Sequence, residues 1–122
     1  MNEDGFRFEQ LLVWQRAADL SGSIFKLAEK LDERRFYRFA EQLRAAALSI
    51  SNNVAEGSGS ASDTDFANFI NIARRSVFEV ANMLTIFTRE KYLLQSETVA
   101  LLRELGEQSR MLKKFRESLL SK

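Results

Sequence analysis

The sequence predicts an all-α chain folded as an antiparallel, up-and-down four-helix bundle, and three observations predict it. The 122 residues include no proline, the residue that removes a backbone donor and clashes with the preceding turn inside a helix. Apolar residues recur at alternating steps of three and four along four long segments, which places each set on one helix face. The breaks between segments are short, and short connections make consecutive helices antiparallel neighbours.

The first segment runs from about Glu9 to Leu31, with the stripe Leu11, Trp14, Ala17, Ser21, Ile24, Ala28 and Leu31. A charged break, Asp32 to Arg34, follows. The second runs from about Arg35 to Glu56 through Phe36, Ala40, Leu43, Ala47, Ile50 and Val54. Gly57-Ser58-Gly59-Ser60-Ala61 then reads as a loop. Gly57 suits the left-handed residue that ends a helix, and Ser62 suits an N-cap, with Asp65 three residues on in a capping-box arrangement. The third segment, about Asp63 to Glu90, carries Phe66, Ile70, Ala73, Val77, Val80, Leu84 and Phe87. The stripe lapses over Lys91 to Gln95. Ser96 is placed to cap the fourth segment, about 96 to 120, whose stripe is Leu94, Leu101, Leu105, Leu112, Phe115 and Leu119. Each helix is then about 30–40 Å long at 1.5 Å per residue. Matched lengths favour a regular rod in a single domain, residues 1–122, with Leu43, Ile50, Val54, Ile70, Ala73, Val77 and Leu84 at its centre. At this size about two-thirds of the unfolded surface can be buried without disulfides or metal.

Composition narrows the chemistry. The chain has no cysteine and no histidine, so disulfide, thiol and thiolate-metal chemistry are excluded, as is the commonest general base. A di-iron bundle needs a Glu-x-x-His pair on each of two helices, which this chain lacks. An all-carboxylate Mg or Ca site is the one metal chemistry left open. Gly57-Ser58-Gly59-Ser60 lacks the lysine of a phosphate-binding loop and follows a helix rather than a strand. These features predict a non-enzymatic protein with no cofactor, no metal and no small-molecule substrate. The formal net charge is +1, so no overall field draws the chain to nucleic acid or lipid. Met1 to Phe8 shows no signal-peptide pattern, and no apolar run reaches the roughly 20 residues of a membrane span. The expectation is a soluble cytoplasmic protein that does not enter the membrane.

Two helices carry more than one bundle needs. Beside its main stripe the third helix has a second row, Phe69, Ile72, Ser76, Met83 and Ile86, and Val77 and Phe78 are adjacent, so both cannot enter one narrow seam. The first helix has Leu12, Val13 and Phe25 in surplus. Excess apolar width on a small protein marks a partner surface, most often another copy of the chain. The second helix is thin, with Ala45, Ala46, Ala47, Ser49, Ser51 and Ala55, and a polar row, Gln42, Ser49, Asn53 and Glu56, runs along one face. Short polar groups that are mediocre helix formers suit a hydrogen-bonded helix contact better than a solvated face. The predicted oligomer interface is therefore Gln42, Ser49, Asn53, Glu56, Phe69, Ile72, Met83 and Ile86, the polar and apolar rows acting as the two halves of a contact. Arg44, Glu56 and Glu79 are expected to be linked electrostatically across adjacent helices.

The most distinctive residues are Leu12-Val13-Trp14-Gln15 with Ala17, then Gln42-Leu43-Arg44-Ala45-Ala46-Ala47-Leu48-Ser49-Ile50, then Asn53-Val54-Ala55-Glu56-Gly57, continued by Phe66, Phe69, Ile72-Ala73, Ser76 and Glu79. In these blocks, over nearly its whole length, the chain resembles the four-helix bundle proteins, some of which are encoded in intervening sequences within bacterial 23S ribosomal RNA genes. More distantly it is similar to the accessory proteins of diversity-generating retroelements. It departs from the pattern at Asp32, where the family usually has proline, at Arg38, usually glycine, and at Ala45, usually a second arginine. The resemblance implies a bundle that assembles as a ring, typically a homopentamer, with no established enzymatic activity. The distant relatives imply nucleic acid as a second kind of partner.

Two functions follow as expectations. The leading one is a non-enzymatic oligomeric scaffold or adaptor. The alternative is an oligomeric accessory protein that binds RNA or DNA through Arg34, Arg35 and Arg38 at the first corner, Arg74 and Arg75 in the third helix, and Arg110, Lys113 and Lys114 in the fourth.

Overall fold

The structure, a computed structural model, describes residues 5–122; Met1 to Asp4 of the polar N-terminal segment lie outside the described residues. After a 3₁₀ turn at Arg7–Gln10 come four helices: α1, Leu12–Glu33; α2, Tyr37–Ser58; α3, Asp63–Arg89; and α4, Gln95–Leu120. There is no strand among the described residues. Each helix packs on the two beside it, α1 closes the ring of four against α4, and the diagonal pairs make no close backbone approach. The expected up-and-down bundle is what forms.

The apolar stripes meet at the bundle axis. Ala17, Ile24, Ala28 and Leu31 of α1, Leu43, Ala47, Ile50 and Val54 of α2, Phe66, Ile70, Ala73, Val77, Val80 and Leu84 of α3, and Leu101, Leu105 and Leu112 of α4 are all buried. Burying each of the large aliphatic side chains contributes about 1.5–3 kcal/mol. All seven residues expected at the centre are there. Aromatic rings close one end, where Tyr92 lies 4.3 Å from Phe36 and 5.7 Å from Phe39 between ring centroids. At the other end Phe66 and Phe115 meet edge to face at 5.3 Å.

The element ends differ from the sequence reading in instructive ways. α1 begins at Leu12, not Glu9, because Leu11 is extended (φ −80°, ψ 126°) and caps it. α1 also runs through Glu33, so the first break falls at Arg34–Phe36 rather than Asp32–Arg34. Arg35 and Lys91 have φ of 65° and 63°. Each sits in a Schellman turn: Phe36 N–H donates to Leu31 O and Tyr92 N–H to Phe87 O, closing the ends of α1 and α3. The glycine signal at Gly57 misled for the same reason. No glycine has positive φ, α2 continues through Ser58, and Gly57 is buried inside the helix. A Cβ there would lie 2.7 Å from both Phe66 Cδ1 and Phe69 Cβ. Gly57 is present for close approach of α2 to α3, not for a turn. Ser62 does cap α3, accepting from Asp65 N–H at 3.1 Å. Ser96 does not cap α4: Leu94 is the N-cap, and its N–H donates to the Glu97 carboxylate at 2.8 Å. Leu94 is accordingly 63% exposed, and Leu93 takes the core position instead.

Candidate functional site

The two predicted interface rows lie side by side. Ser49 of α2 and Ser76 of α3 join their hydroxyls at 2.8 Å across the α2/α3 seam. Asn53 Nδ2 donates to Ser49 O at 2.7 Å and to Ser49 Oγ at 3.1 Å. Ser76 in turn donates to Ile72 O at 3.2 Å. A polar chain therefore zips the outer edge of the seam where the alanines of α2 allow the helices to approach. Beside it is a shallow groove of about 450 Å³ lined by Gln42, Ala45, Ala46, Ser49, Glu79, Asn82 and Met83. Met83 of this lining is half-buried, as is Phe69 further along α3 beside Gly57, while Ile72 is 43% and Ile86 44% exposed.

This geometry divides the eight residues into three groups, of which half-buried Phe69 and Met83 are one. Ser49 and Asn53 make their hydrogen bonds within the subunit. Gln42, Glu56, Ile72 and Ile86 face outward. The polar and apolar rows do not lie on opposite sides as two halves of a contact; they form one composite face, because the polar flank of α2 is the flank that packs on α3.

The expected link among Arg44, Glu56 and Glu79 is absent. Arg44 Nη2 pairs with Asp32 at 2.6 Å, on the flank of α2 that faces α1. Glu56 is 12 residues further along the helix, about 18 Å at 1.5 Å per residue, and Glu79 borders the α3 groove.

The eight candidate nucleic-acid residues do not form one site. Arg34 donates to Lys91 O at 2.7 Å and to Tyr92 O at 2.9 Å, and its guanidinium stacks over Phe36. It ties the α1/α2 corner to the α3/α4 corner. Arg35 is the left-handed residue of that corner, and Arg38 stands in the first turn of α2. Arg110 and Lys113 lie about 25 Å away along α4. Arg74 of α3 reaches α4, donating from Nε to Ser109 O at 3.1 Å. Arg75, next to it, is exposed. Lys114 lies on the α1 side, where it borders an apolar groove with Leu11, Leu12, Met111 and Phe115.

Sequence reasoning missed two features. Gln108 is fully buried on the apolar stripe of α4; its Nε2 donates to Val13 O at 2.9 Å, and its Oε1 has no partner. The signal was a polar residue where the Leu101, Leu105, Leu112 spacing calls for an apolar one. Lys30 and Glu97 also pair, at 2.9 Å. The hydrogen bond that Lys30 donates to the Glu97 carboxylate raises the Lys30 pKa. The Leu94 N–H, and then Lys30, lower that of Glu97. Among the described residues no cluster of carboxylates converges on a point that could hold a metal ion, and no helix is long and apolar enough to cross a membrane.

Comparison with known proteins places this architecture. No curated protein matches the chain. A crystal structure of a protein of unknown function from the S23 ribosomal protein family of Bacteroides thetaiotaomicron superposes with a TM-score of 0.81 at 22% identity, covering 86% of this chain and 98% of that one. At that identity the likeness concerns the fold alone. The model of the 23S rRNA-intervening sequence protein family matches residues 9–114, which takes in all the blocks from Trp14 to Glu79 and most of α4. The chain therefore belongs to the 23S rRNA-intervening sequence protein family.

Proposed function

We propose that this protein is a non-enzymatic scaffold or adaptor that works as a closed homo-oligomer, assembled through the composite α2/α3 face. The observation that carries the reading is the pair Ile72 and Ile86, 43% and 44% exposed. They stand two heptads apart on one edge of α3, on the side of the helix that carries half-buried Phe69 and Met83, and Met83 lines the α2/α3 groove. A bundle of this size has no need of that second row for its own core. The polar zipper of Ser49, Asn53 and Ser76 keeps the seam shut from within, so the row is free to pack on another surface. In a closed ring the contact is heterologous, and the face meets a different patch on the neighbouring copy. Five copies is the leading count; it comes from the family resemblance, whereas the face comes from the geometry.

The test is an Ile72→Glu/Ile86→Glu double variant, compared with wild type by light scattering and circular dichroism. Both side chains lie off the core, so helical signal and cooperative unfolding should persist while the assembly dissociates. An assembled double variant would discard this face.

A further inference from the structure

The charges of α3 and α4 are sorted by helix face. Over residues 71–88 and 99–113 the sequence offers three carboxylates, Glu79, Glu104 and Glu107. All three are turned to other flanks. Glu79 borders the α2 groove, Glu104 lines a cavity on the α1 side with Arg16 and Asp19, and Glu107, which shares a groove with Arg110, is drawn to Arg16 of α1 at 2.9 Å. Over these residues what remains on the outer α3/α4 face is cationic, and exposed Glu117, one turn beyond Lys113, ends the stripe with a carboxylate. Arg103, Gly106, Arg110 and Lys113 follow one another at steps of three, four and three, so they form a single stripe along α4. Arg74 joins it from α3 through its bond to Ser109 O. None of these four cations is in an ion pair among the described residues.

One aromatic ring stands on this face. Phe78 is 55% exposed, and the Arg74 guanidinium lies over one of its sides, 5.2 Å from the ring centroid. The register set by Arg74 with Ser109 and by Thr88 with Thr98 puts Phe78 level with Gly106. Gly106 leaves a gap in the stripe, and only the Arg110 guanidinium comes within 4 Å of where its Cβ would be. A ring backed by a guanidinium and bordered by unpaired cations suits a base stacked on the ring with its phosphates on the stripe.

We infer that the outer α3/α4 face, Arg74, Phe78, Arg103, Arg110 and Lys113, binds single-stranded nucleic acid, with Phe78 as the stacking platform. The face is separate from the proposed assembly face, so the inference does not depend on the oligomer. The test is fluorescence anisotropy with labelled oligo(U), a duplex of the same length, and vesicles of anionic phospholipid, at low and high salt. Single strands neutralise roughly 0.7 counterion per phosphate contact, so four cations predict a log–log salt slope of about −3. Arg110→Glu/Lys113→Glu should weaken oligo(U) binding more than tenfold and bring the slope to about −1. Phe78→Ala should cost about tenfold for oligo(U) at unchanged slope, while Phe78→Trp retains binding. Arg38→Glu, at the far end of the bundle, should change nothing. Absence of oligo(U) binding at low salt, indifference to Phe78→Ala, or binding confined to vesicles would each overturn the inference.

Discussion

Replacing Gly57 by alanine should destabilise the protein, although the same change elsewhere in a helix stabilises it. Alanine gains about 1 kcal/mol over glycine from helix propensity. Against this, the new Cβ would stand 2.7 Å from Phe69 Cβ and 2.7 Å from Phe66 Cδ1. The Phe66 ring can turn aside, but Phe69 Cβ is fixed to the α3 backbone, so α2 and α3 must separate. Forcing a methyl into a filled core costs about 1–3 kcal/mol, and a clash with a backbone-fixed atom belongs at the upper end. The net expectation is a loss of about 2 kcal/mol. At about 2.1 cal/mol/K per residue, a domain of this length loses roughly 4 °C of Tm per kcal/mol, so Tm should fall by about 8 °C. Gly22 on α1 is the internal control. Nothing lies within 4 Å of its would-be Cβ, so Gly22→Ala should gain about 1 kcal/mol and raise Tm by about 4 °C. Thermal melts followed by circular dichroism at one protein concentration measure both, since assembly couples to stability. A Gly57→Ala variant that melts at or above wild type would refute the close-approach account.

Other substitutions test other parts of the account. Gln108→Leu removes a buried carbonyl oxygen without a partner, and Val13 O keeps its place in the α1 ladder; denaturant unfolding should show a gain of about 1 kcal/mol, whereas a loss would mean that Oε1 is satisfied. Lys91→Gly relieves a left-handed residue and should gain about 1 kcal/mol in the same assay. Glu97→Ala should lower Tm more than Lys30→Ala, because Glu97 both caps α4 and pairs with Lys30. Its depressed pKa means that its contribution is present above the ordinary carboxylate value near 4.5 and is lost as pH falls through the folded value below that. The raised Lys30 pKa works in reverse: its contribution is full below 10.5 and fades only as pH rises through the folded value above that. Acid melts of wild type and Glu97→Ala should therefore converge once the pH has fallen below the folded value of Glu97.

The helices and their core were legible because the signal is collective: a stripe of seven apolar residues survives one exception, as at Ser21. Single-residue signals fared less well. Gly57 had the right residue type for a helix end, but a glycine that lets α2 approach α3 looks the same in sequence as one that turns the chain. Leu94 and Leu93 are neighbours, and only the cap formed by Glu97 decides which one turns inward. The true left-handed residues, Arg35 and Lys91, carried no signal, because hydrogen bonds to Leu31 O and Phe87 O impose their conformation. The α2 polar row was readable, but whether it faced solvent, a sister helix or a neighbour was not, since that depends on which flank meets Ser76. The charge of the α3/α4 face was hidden by composition. A chain of net charge +1 gives no hint that Glu79, Glu104 and Glu107 are drawn toward the other flanks.

The most direct test of the central claim is the mass of the wild-type protein in solution at micromolar concentration, by sedimentation equilibrium or native mass spectrometry. The account predicts one closed species several times the 14.0 kDa of the chain, with five copies the leading count. A single species at 14.0 kDa, unchanged as concentration rises, would contradict it.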